Sequence, residues 1–151
     1  MDLTGYELER LQDDGDFALY RARQHNNPIS VLVLAPCRPT LFKRLEHEYA
    51  LADALDSNWA ARPLALVRDK GSIALVLEDH GGEPLSRLVN QTQEPAQFLR
   101  LAINLTATVG QVHRSGFVHK DIKPSNVLVG PAGGVRLTGF GIASRMLHER
   151  Q

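Results

Sequence analysis

The chain has 151 residues, 43% hydrophobic and 23% charged, a composition typical of a soluble globular protein with one core or two small lobes. Its 17 basic and 17 acidic residues balance, so the sequence lacks the basic field that drives nucleic-acid binding or membrane adsorption. One cysteine, Cys37, can form neither an internal disulfide nor a cysteine-based zinc site, and no apolar run approaches the roughly 20 residues of a membrane helix, so we expect a cytoplasmic protein.

The first half of the chain has the pattern of β-strands. Residues 17–23 alternate apolar and polar side chains, Asn26-Asn27-Pro28 is typical of a turn, and residues 29–34 are rich in β-forming residues, which together predict a hairpin. Residues 63–68 and 72–78 predict two further strands joined by a turn.

A helix is predicted from residue 40, with Thr40 as its N-cap, because apolar residues recur there at helical spacing: Leu41, Leu45, Ala52 and Leu55. Glu48 lies on the same stripe. A carboxylate on an apolar stripe requires a cation, so Glu48 either pairs with Lys43, Arg38 or Arg44, or lies at the edge of the stripe in contact with water.

Gly81-Gly82 marks a connector between this strand-rich part and a helical second part. A short helix is predicted over residues 84–89 and a long one over residues 95–114. The long helix has an apolar face formed by Phe98, Leu101, Ala102, Leu105, Val109 and Val112. Short strands follow at residues 127–129 and 135–138.

Residues 119–126, His-Lys-Asp-Ile-Lys-Pro-Ser-Asn, match the pattern His-x-Asp-x-x-x-x-Asn between a long helix and a short strand. Three fixed positions alone leave room for coincidence, since each is matched by chance about once in twenty. The further matches at Lys123 and Pro124 make a coincidence much rarer. The chain therefore resembles the eukaryotic-type serine/threonine protein kinase family, and its overall pattern is similar to the kinase-type head of large bacterial multidomain signalling proteins.

This resemblance implies an α+β, protein-kinase-like fold. Residues 1–80 would form a five-stranded antiparallel N-lobe with one helix, with a hinge at about residues 78–82. Residues 83–151 would form the first helices and the catalytic-loop hairpin of the C-lobe. Because the resemblance covers only the front half of the family's domain, the long helix is expected to expose an apolar patch that favours association.

The resemblance also implies ATP and Mg²⁺ as cofactors and a protein substrate or regulatory protein partner. In the catalytic loop, Asp121 would accept or orient the proton of a substrate hydroxyl, Lys123 would stabilise the γ-phosphate, and Asn126 would hold a magnesium ion. His119 would be a packing residue.

Around the nucleotide base, the resemblance makes Leu77 the gatekeeper and places backbone groups of Glu78 and His80 against adenine. Leu128 and Leu19 would sandwich the ring, although their spacing is equally consistent with ordinary core leucines. Glu48 would be the helix glutamate that pairs with a lysine of the third strand.

Three departures from the family pattern bear on activity. Gly139 replaces the aspartate of Asp-Phe-Gly, Leu34 replaces the phosphate-pairing lysine, and the glycine-rich turn keeps only Gly15 among the acidic residues Asp13, Asp14 and Asp16. We therefore expect weak binding of ATP and Mg²⁺. Two hypotheses stay open: an impaired serine/threonine protein kinase, or a non-catalytic pseudokinase-type module for binding or regulation.

Overall fold

The first half of the chain folds into a five-stranded antiparallel sheet in the computed structural model, which describes residues 5–25, 27–89 and 94–146. The strands are β1 (Tyr6–Asp13), β2 (Phe17–Gln24), β3 (Ser30–Pro36), β4 (Pro63–Asp69) and β5 (Ser72–Glu78). Their order across the sheet is β1-β2-β3-β5-β4. The predicted sheet is confirmed; of the predicted turn at residues 26–28, Asn26 lies outside the described residues.

The helix after β3 differs from its prediction at both ends. Thr40 does not cap it, because residues Pro39–Leu41 form a 3₁₀ turn and α1 begins after it, spanning Phe42–Ala50. A second 3₁₀ turn follows at Ala52–Ala54, and Leu55 has extended backbone angles. The chain leaves the helix here because Leu55, Trp59 and Ala60 are buried against the second half of the molecule, so tertiary packing overrides the helical spacing.

The second half begins with one short strand and one short helix. A long helix follows, and then a set of short strands. These elements are β6 (Glu83–Pro84), α2 (Leu85–Leu88), α3 (Pro95–Arg114), β7 (Phe117–Val118), β8 (Val127–Val129), β9 (Val135–Leu137) and β10 (Ser144–Arg145). β6, β8 and β9 form one small sheet, and β7 pairs with β10. The predicted bounds of α3 and β8 are confirmed, and α2 is shorter than predicted.

Two hydrophobic clusters form the core. The sheet cluster consists of Leu11, Leu19, Leu32, Leu34, Leu45, Ala61, Ile73, Leu75, Leu77 and Leu128. The helical cluster consists of Leu55, Trp59, Ala60, Val112, Phe117, Val127, Val135, Leu137, Phe140 and Ala143. Successive residues of β8 belong to different clusters, Val127 to the helical one and Leu128 to the sheet one, because side chains alternate across a strand. β8 therefore joins the two halves.

Helix α3 buries only part of its apolar surface. Leu101, Leu105 and Val109 pack against the helical cluster, whereas Phe98 and Ile103 are 60% and 66% exposed. Within the described residues, no helix combines the length and the apolar character that crossing a membrane requires.

Candidate functional site

The three polar residues of the 119–126 loop that were predicted to act together do lie together. The Asn126 side-chain amide donates to the Asp121 backbone oxygen at 2.8 Å and to its carboxylate Oδ2 at 3.1 Å. The Lys123 ammonium lies 3.6 Å from the same Oδ2 atom. Asp121, Lys123 and Asn126 thus form one hydrogen-bonded and ion-paired group on a single loop.

The buried side chain of His119 fixes the shape of this loop. Its Nδ1 atom accepts from the Asp121 amide at 3.2 Å, so Nε2 carries the proton and donates to the Thr138 carbonyl at 2.9 Å. The ring also meets Phe140 edge-on, with centroids 4.5 Å apart. Burial lowers the pKa of His119, which keeps the ring neutral in this packing position.

The turn between β1 and β2 closes onto the same loop. Asp14 Oδ2 lies 3.0 Å from the Lys123 ammonium and accepts from the Ser125 hydroxyl at 3.0 Å. Gln12, at the end of β1, donates to the Ser125 carbonyl at 2.5 Å and accepts from the Ser86 hydroxyl of α2 at 2.6 Å. The sequence predicted an acidic turn here but not its contact with the 119–126 loop.

Glu48 is buried, and neither hypothesis about its surroundings is correct. It is 1% exposed, so it does not face water, and the described residues contain no ion pair to it. Its carboxylate instead accepts from the Gly139 amide at 3.0 Å and from the Phe140 amide. Burial raises the pKa of Glu48 to about 7, because these two hydrogen bonds only partly offset the loss of water and the nearby charge of Asp121 raises the pKa further.

Glu48 shares a small cavity with several of the predicted site residues. The cavity measures about 20 Å³, enough for a single water molecule. Its lining residues are Phe17, Leu34, Arg44, Glu48, Asp121, Asn126, Gly139, Gly141 and Ile142. Leu34 belongs to the sheet cluster, so an apolar side chain lies where the family's lysine would meet Glu48.

The residues around Asn126 do not fit a resident magnesium ion. The Asn126 amide nitrogen is directed at Asp121, and Gly139 supplies no side chain. In the described part of the chain, no group of three or more His, Cys, Asp and Glu side chains could hold a metal ion. Mg²⁺ prefers six oxygen ligands in octahedral geometry, and one carboxylate with one amide falls well short of that.

The predicted adenine-contacting residues lie in or beside packed structure. Leu19, Leu77 and Leu128 are buried together in the sheet cluster, which fits the alternative that they are core leucines. The Glu78 amide already donates to the Arg62 carbonyl at 2.9 Å. His80 is exposed, and together with Leu128 it borders a cavity of about 10 Å³.

A buried ion network at residues 79–83 was not predicted from the sequence. Arg21, 4% exposed, contacts Asp79 through Nε at 2.6 Å, Glu83 through one terminal nitrogen at 3.0 Å, and the Gly82 carbonyl through the other at 2.6 Å. Ser30 also donates to Asp79 at 2.6 Å. Burial by itself would raise the pKa of Asp79, but the hydrogen bonds from Arg21 and Ser30 outweigh it and lower the pKa. The only signal in the sequence was an arginine at an inward position of β2.

Comparison with known proteins identifies similar chains along most of the sequence. The sequence profile of the family described as Protein kinase domain matches residues 35–151. Serine/threonine-protein kinase LATS1 of Homo sapiens is 36% identical over 103 residues, covering 66% of this chain and 9% of that protein. CBL-interacting protein kinase 19 of Oryza sativa subsp. japonica is 30% identical over 149 residues, covering 94% of this chain and 29% of that protein.

A bacterial protein is also similar over a shorter stretch. Serine/threonine-protein kinase PknA of Mycobacterium tuberculosis is 40% identical over 73 residues, covering 46% of this chain and 16% of that protein. The chain therefore spans about a tenth of the length of LATS1 and less than a third of the other two relatives.

Proposed function

Because this chain belongs to the protein kinase family, we propose that it carries the catalytic loop of a serine/threonine protein kinase, which transfers the γ-phosphate of ATP to a hydroxyl of a protein substrate. The observation that supports this most directly is the mutual contact of Asp121, Lys123 and Asn126 on one loop. The relatives named as serine/threonine kinases support the same reaction.

In this proposal each loop residue has a separate task. Asp121 accepts or orients the proton of the attacking hydroxyl, and Asn126 holds the Asp121 carboxylate in place through its amide. Lys123 stabilises the negative charge of the transferred phosphoryl group. ATP brings Mg²⁺ with it, and we assign no step to the metal because the protein ligands for it are incomplete.

The same geometry predicts a low rate of phosphoryl transfer. Phosphoryl transfer depends on positioning and charge stabilisation, and two groups that provide these in the family are replaced. Gly139 offers no carboxylate, and Leu34 offers no cation for the phosphates or for Glu48. We therefore propose an impaired enzyme.

The second candidate is a non-catalytic module that uses the kinase scaffold for binding or regulation. It is favoured by the surroundings of Glu48, whose hydrogen bonds are provided by the backbone of Gly139 and Phe140 rather than by a lysine. A glutamate bound in this way accepts hydrogen bonds inside the fold without preparing a phosphate site.

Phosphotransfer to a generic protein substrate, followed with radiolabelled ATP, separates the two candidates. The unchanged chain should label serine or threonine, and Asp121→Asn should lower the rate by about 100-fold or more because it removes the proton acceptor. Lys120→Gln is the matched control, since Lys120 is an exposed neighbour in the same loop. If the unchanged chain is no faster than Asp121→Asn, the kinase proposal fails and the binding module is favoured.

A cytoplasmic location, a protein partner and association through the exposed residues of α3 remain predictions from the sequence, together with the binding of ATP. The boundary between the two lobes at residues 78–82 also remains a prediction, and residues 147–151 of the second lobe lie outside the described residues.

A further inference from the structure

Asp14 presents one carboxylate oxygen to the catalytic loop while the other is fixed inside its own turn. Oδ1 accepts from the amides of Asp16 at 3.0 Å and Phe17 at 2.9 Å. Oδ2 is thereby directed at the Lys123 ammonium and the Ser125 hydroxyl, each 3.0 Å away. The carboxylate is held in this orientation by groups of its own turn and of the catalytic loop.

The contact places a negative charge where a phosphate of the nucleotide would meet Lys123. A carboxylate oxygen and a phosphate oxygen accept the same charge-assisted hydrogen bonds from an ammonium and a hydroxyl group. The Lys123 side chain is 32% exposed and that of Asp14 is 19% exposed, so the pair is partly screened from water. Burial would raise the pKa of Asp14, but hydrogen bonds from Phe17, Lys123 and Ser125 outweigh it and lower the pKa, which keeps the carboxylate charged.

The rest of the turn is also held against the loop and the sheet. Gln12 bridges Ser125 and Ser86, and the Cys37 amide donates to the Asp16 carbonyl at 2.8 Å. Asp16 also forms an ion pair with Arg38. The position of Asp14 therefore follows from several contacts and not from one surface ion pair.

We propose that the β1–β2 turn is an internal plug of the phosphate site, in which the Asp14 carboxylate occupies Lys123 and Ser125 and must leave before a nucleoside triphosphate can bind there. The inference rests on the proposed function only in taking Lys123 as a phosphate ligand. It makes Asp14 the residue that sets the affinity for polyphosphates, separately from the replacements at residues 34 and 139.

Asp14→Asn tests this plug with little change to the turn. The asparagine oxygen still accepts from the Asp16 and Phe17 amides, while Lys123 loses the nearer of its two carboxylates and keeps Asp121 at 3.6 Å. Asp13→Asn is the matched control, because Asp13 lies in the same turn and bonds the Gly15 amide and Arg10 but not the catalytic loop. Both variants change the net charge equally.

Two measurements are made on each chain: the dissociation constant for ATP by calorimetry, and the acylation rate of Lys123 by mass spectrometry, with the exposed Lys70 and Lys120 as internal references. Asp14→Asn should bind ATP about tenfold more tightly or better, because a like charge beside the phosphates is removed. It should also raise Lys123 acylation several-fold. Asp13→Asn should change either quantity by less than about twofold.

The plug is overturned if Asp14→Asn leaves the ATP affinity or Lys123 acylation unchanged, or if Asp13→Asn has an equal effect. Phosphotransfer by the same variants is read separately. Tighter ATP binding by Asp14→Asn without any phosphotransfer supports the plug and contradicts the kinase proposal, so the two failures are distinguishable.

Discussion

Glu48 makes the stability of the protein depend on pH. Burial raises its pKa to about 7 from an ordinary value of 4.5, so between these pH values Glu48 binds more protons in the folded chain than in the unfolded chain. The contribution of Glu48 to the free energy of unfolding should therefore fall as pH rises from about 4.5 to about 7, whereas His119, whose pKa is lowered by burial, contributes in the opposite direction. The total effect is on the order of 3 kcal/mol, since each tenfold change in acidity corresponds to about 1.4 kcal/mol.

Glu48→Gln should remove this dependence, because the amide stays neutral while its oxygen still accepts from the Gly139 backbone. Urea unfolding at pH 5 and pH 8 measures it, and the variant should exceed the unchanged chain in stability at pH 8. Glu46→Gln, on the same helix but paired with Arg68 at the surface, is the control. An equal pH slope in the unchanged chain and Glu48→Gln would contradict the assignment.

Position 139 requires glycine for two reasons: its backbone conformation and its close approach to a neighbouring side chain. Its φ is +81°, and a Cβ atom there would lie 2.6 Å from the side-chain atoms of Asn126, which two hydrogen bonds hold on Asp121. Gly139→Ala should lower the free energy of unfolding by about 2 to 4 kcal/mol, combining backbone strain with overpacking. Gly139→Asp should meet the same obstacle, so restoring the family's aspartate alone should not restore its geometry.

The strain and the overpacking can be separated by urea unfolding of matched variants. Gly71→Ala has nearly the same φ, +82°, and open space around its Cβ, so it should cost only the strain. Gly139→Ala combined with Asn126→Ala should recover part of the loss, and equal costs at residues 71 and 139 would show that Asn126 is not an obstacle.

At the scale of elements, Arg21 ties β2 to the residues that follow β5. Its guanidinium makes two contacts with Asp79 and one with the Gly82 carbonyl, all largely buried. Arg21→Met should lower the free energy of unfolding by about 3 to 5 kcal/mol, because Asp79 would remain buried without its cation. Chemical denaturation measures this loss.

Arg23→Met on the same strand is the control for Arg21. Arg23 pairs with Glu9 at 3.8 Å with both side chains about half exposed, so its loss should cost less than about 1 kcal/mol. A loss at Arg21 no larger than at Arg23 would mean that the buried network does not stabilise the fold.

The predictable elements are those in which apolar side chains recur at a regular spacing and pack against one surface. Helix α3 and strands β5 and β8 have the bounds that periodicity and their glycine and proline neighbours indicated. Helix α1 was predicted too long because Leu55 continues the helical spacing but packs in a different cluster from Leu45. The spacing of apolar residues indicates that a residue is buried. It does not indicate which part of the chain that residue packs against.

At the scale of the whole molecule, the candidate site also contains some residues that the sequence predicted and others that it did not. Asp121, Lys123 and Asn126 were predictable because they share one loop of eight residues, within which a local motif fixes their spacing. Asp14 with Lys123 and Arg21 with Asp79 join residues far apart in sequence, and a single sequence contains no signal for such pairs. The hydrogen bonds from backbone amides to Glu48 could not be predicted from the sequence either, since almost any residue has a backbone amide.

The two halves of the molecule should unfold as one unit, because Leu128 of β8 is buried in the sheet cluster while its neighbour Val127 is buried in the helical cluster. Leu128→Ala should lower the free energy of unfolding by about 2 to 4 kcal/mol through the cavity it leaves. The loss should appear equally in far-ultraviolet circular dichroism and in the fluorescence of Trp59, the single tryptophan, which lies in the helical cluster. Leu64→Ala, at a half-exposed position of β4, should shift neither probe by more than about 0.5 kcal/mol. If Leu128→Ala changes the dichroism transition but leaves the Trp59 transition in place, the halves unfold independently and β8 does not couple them.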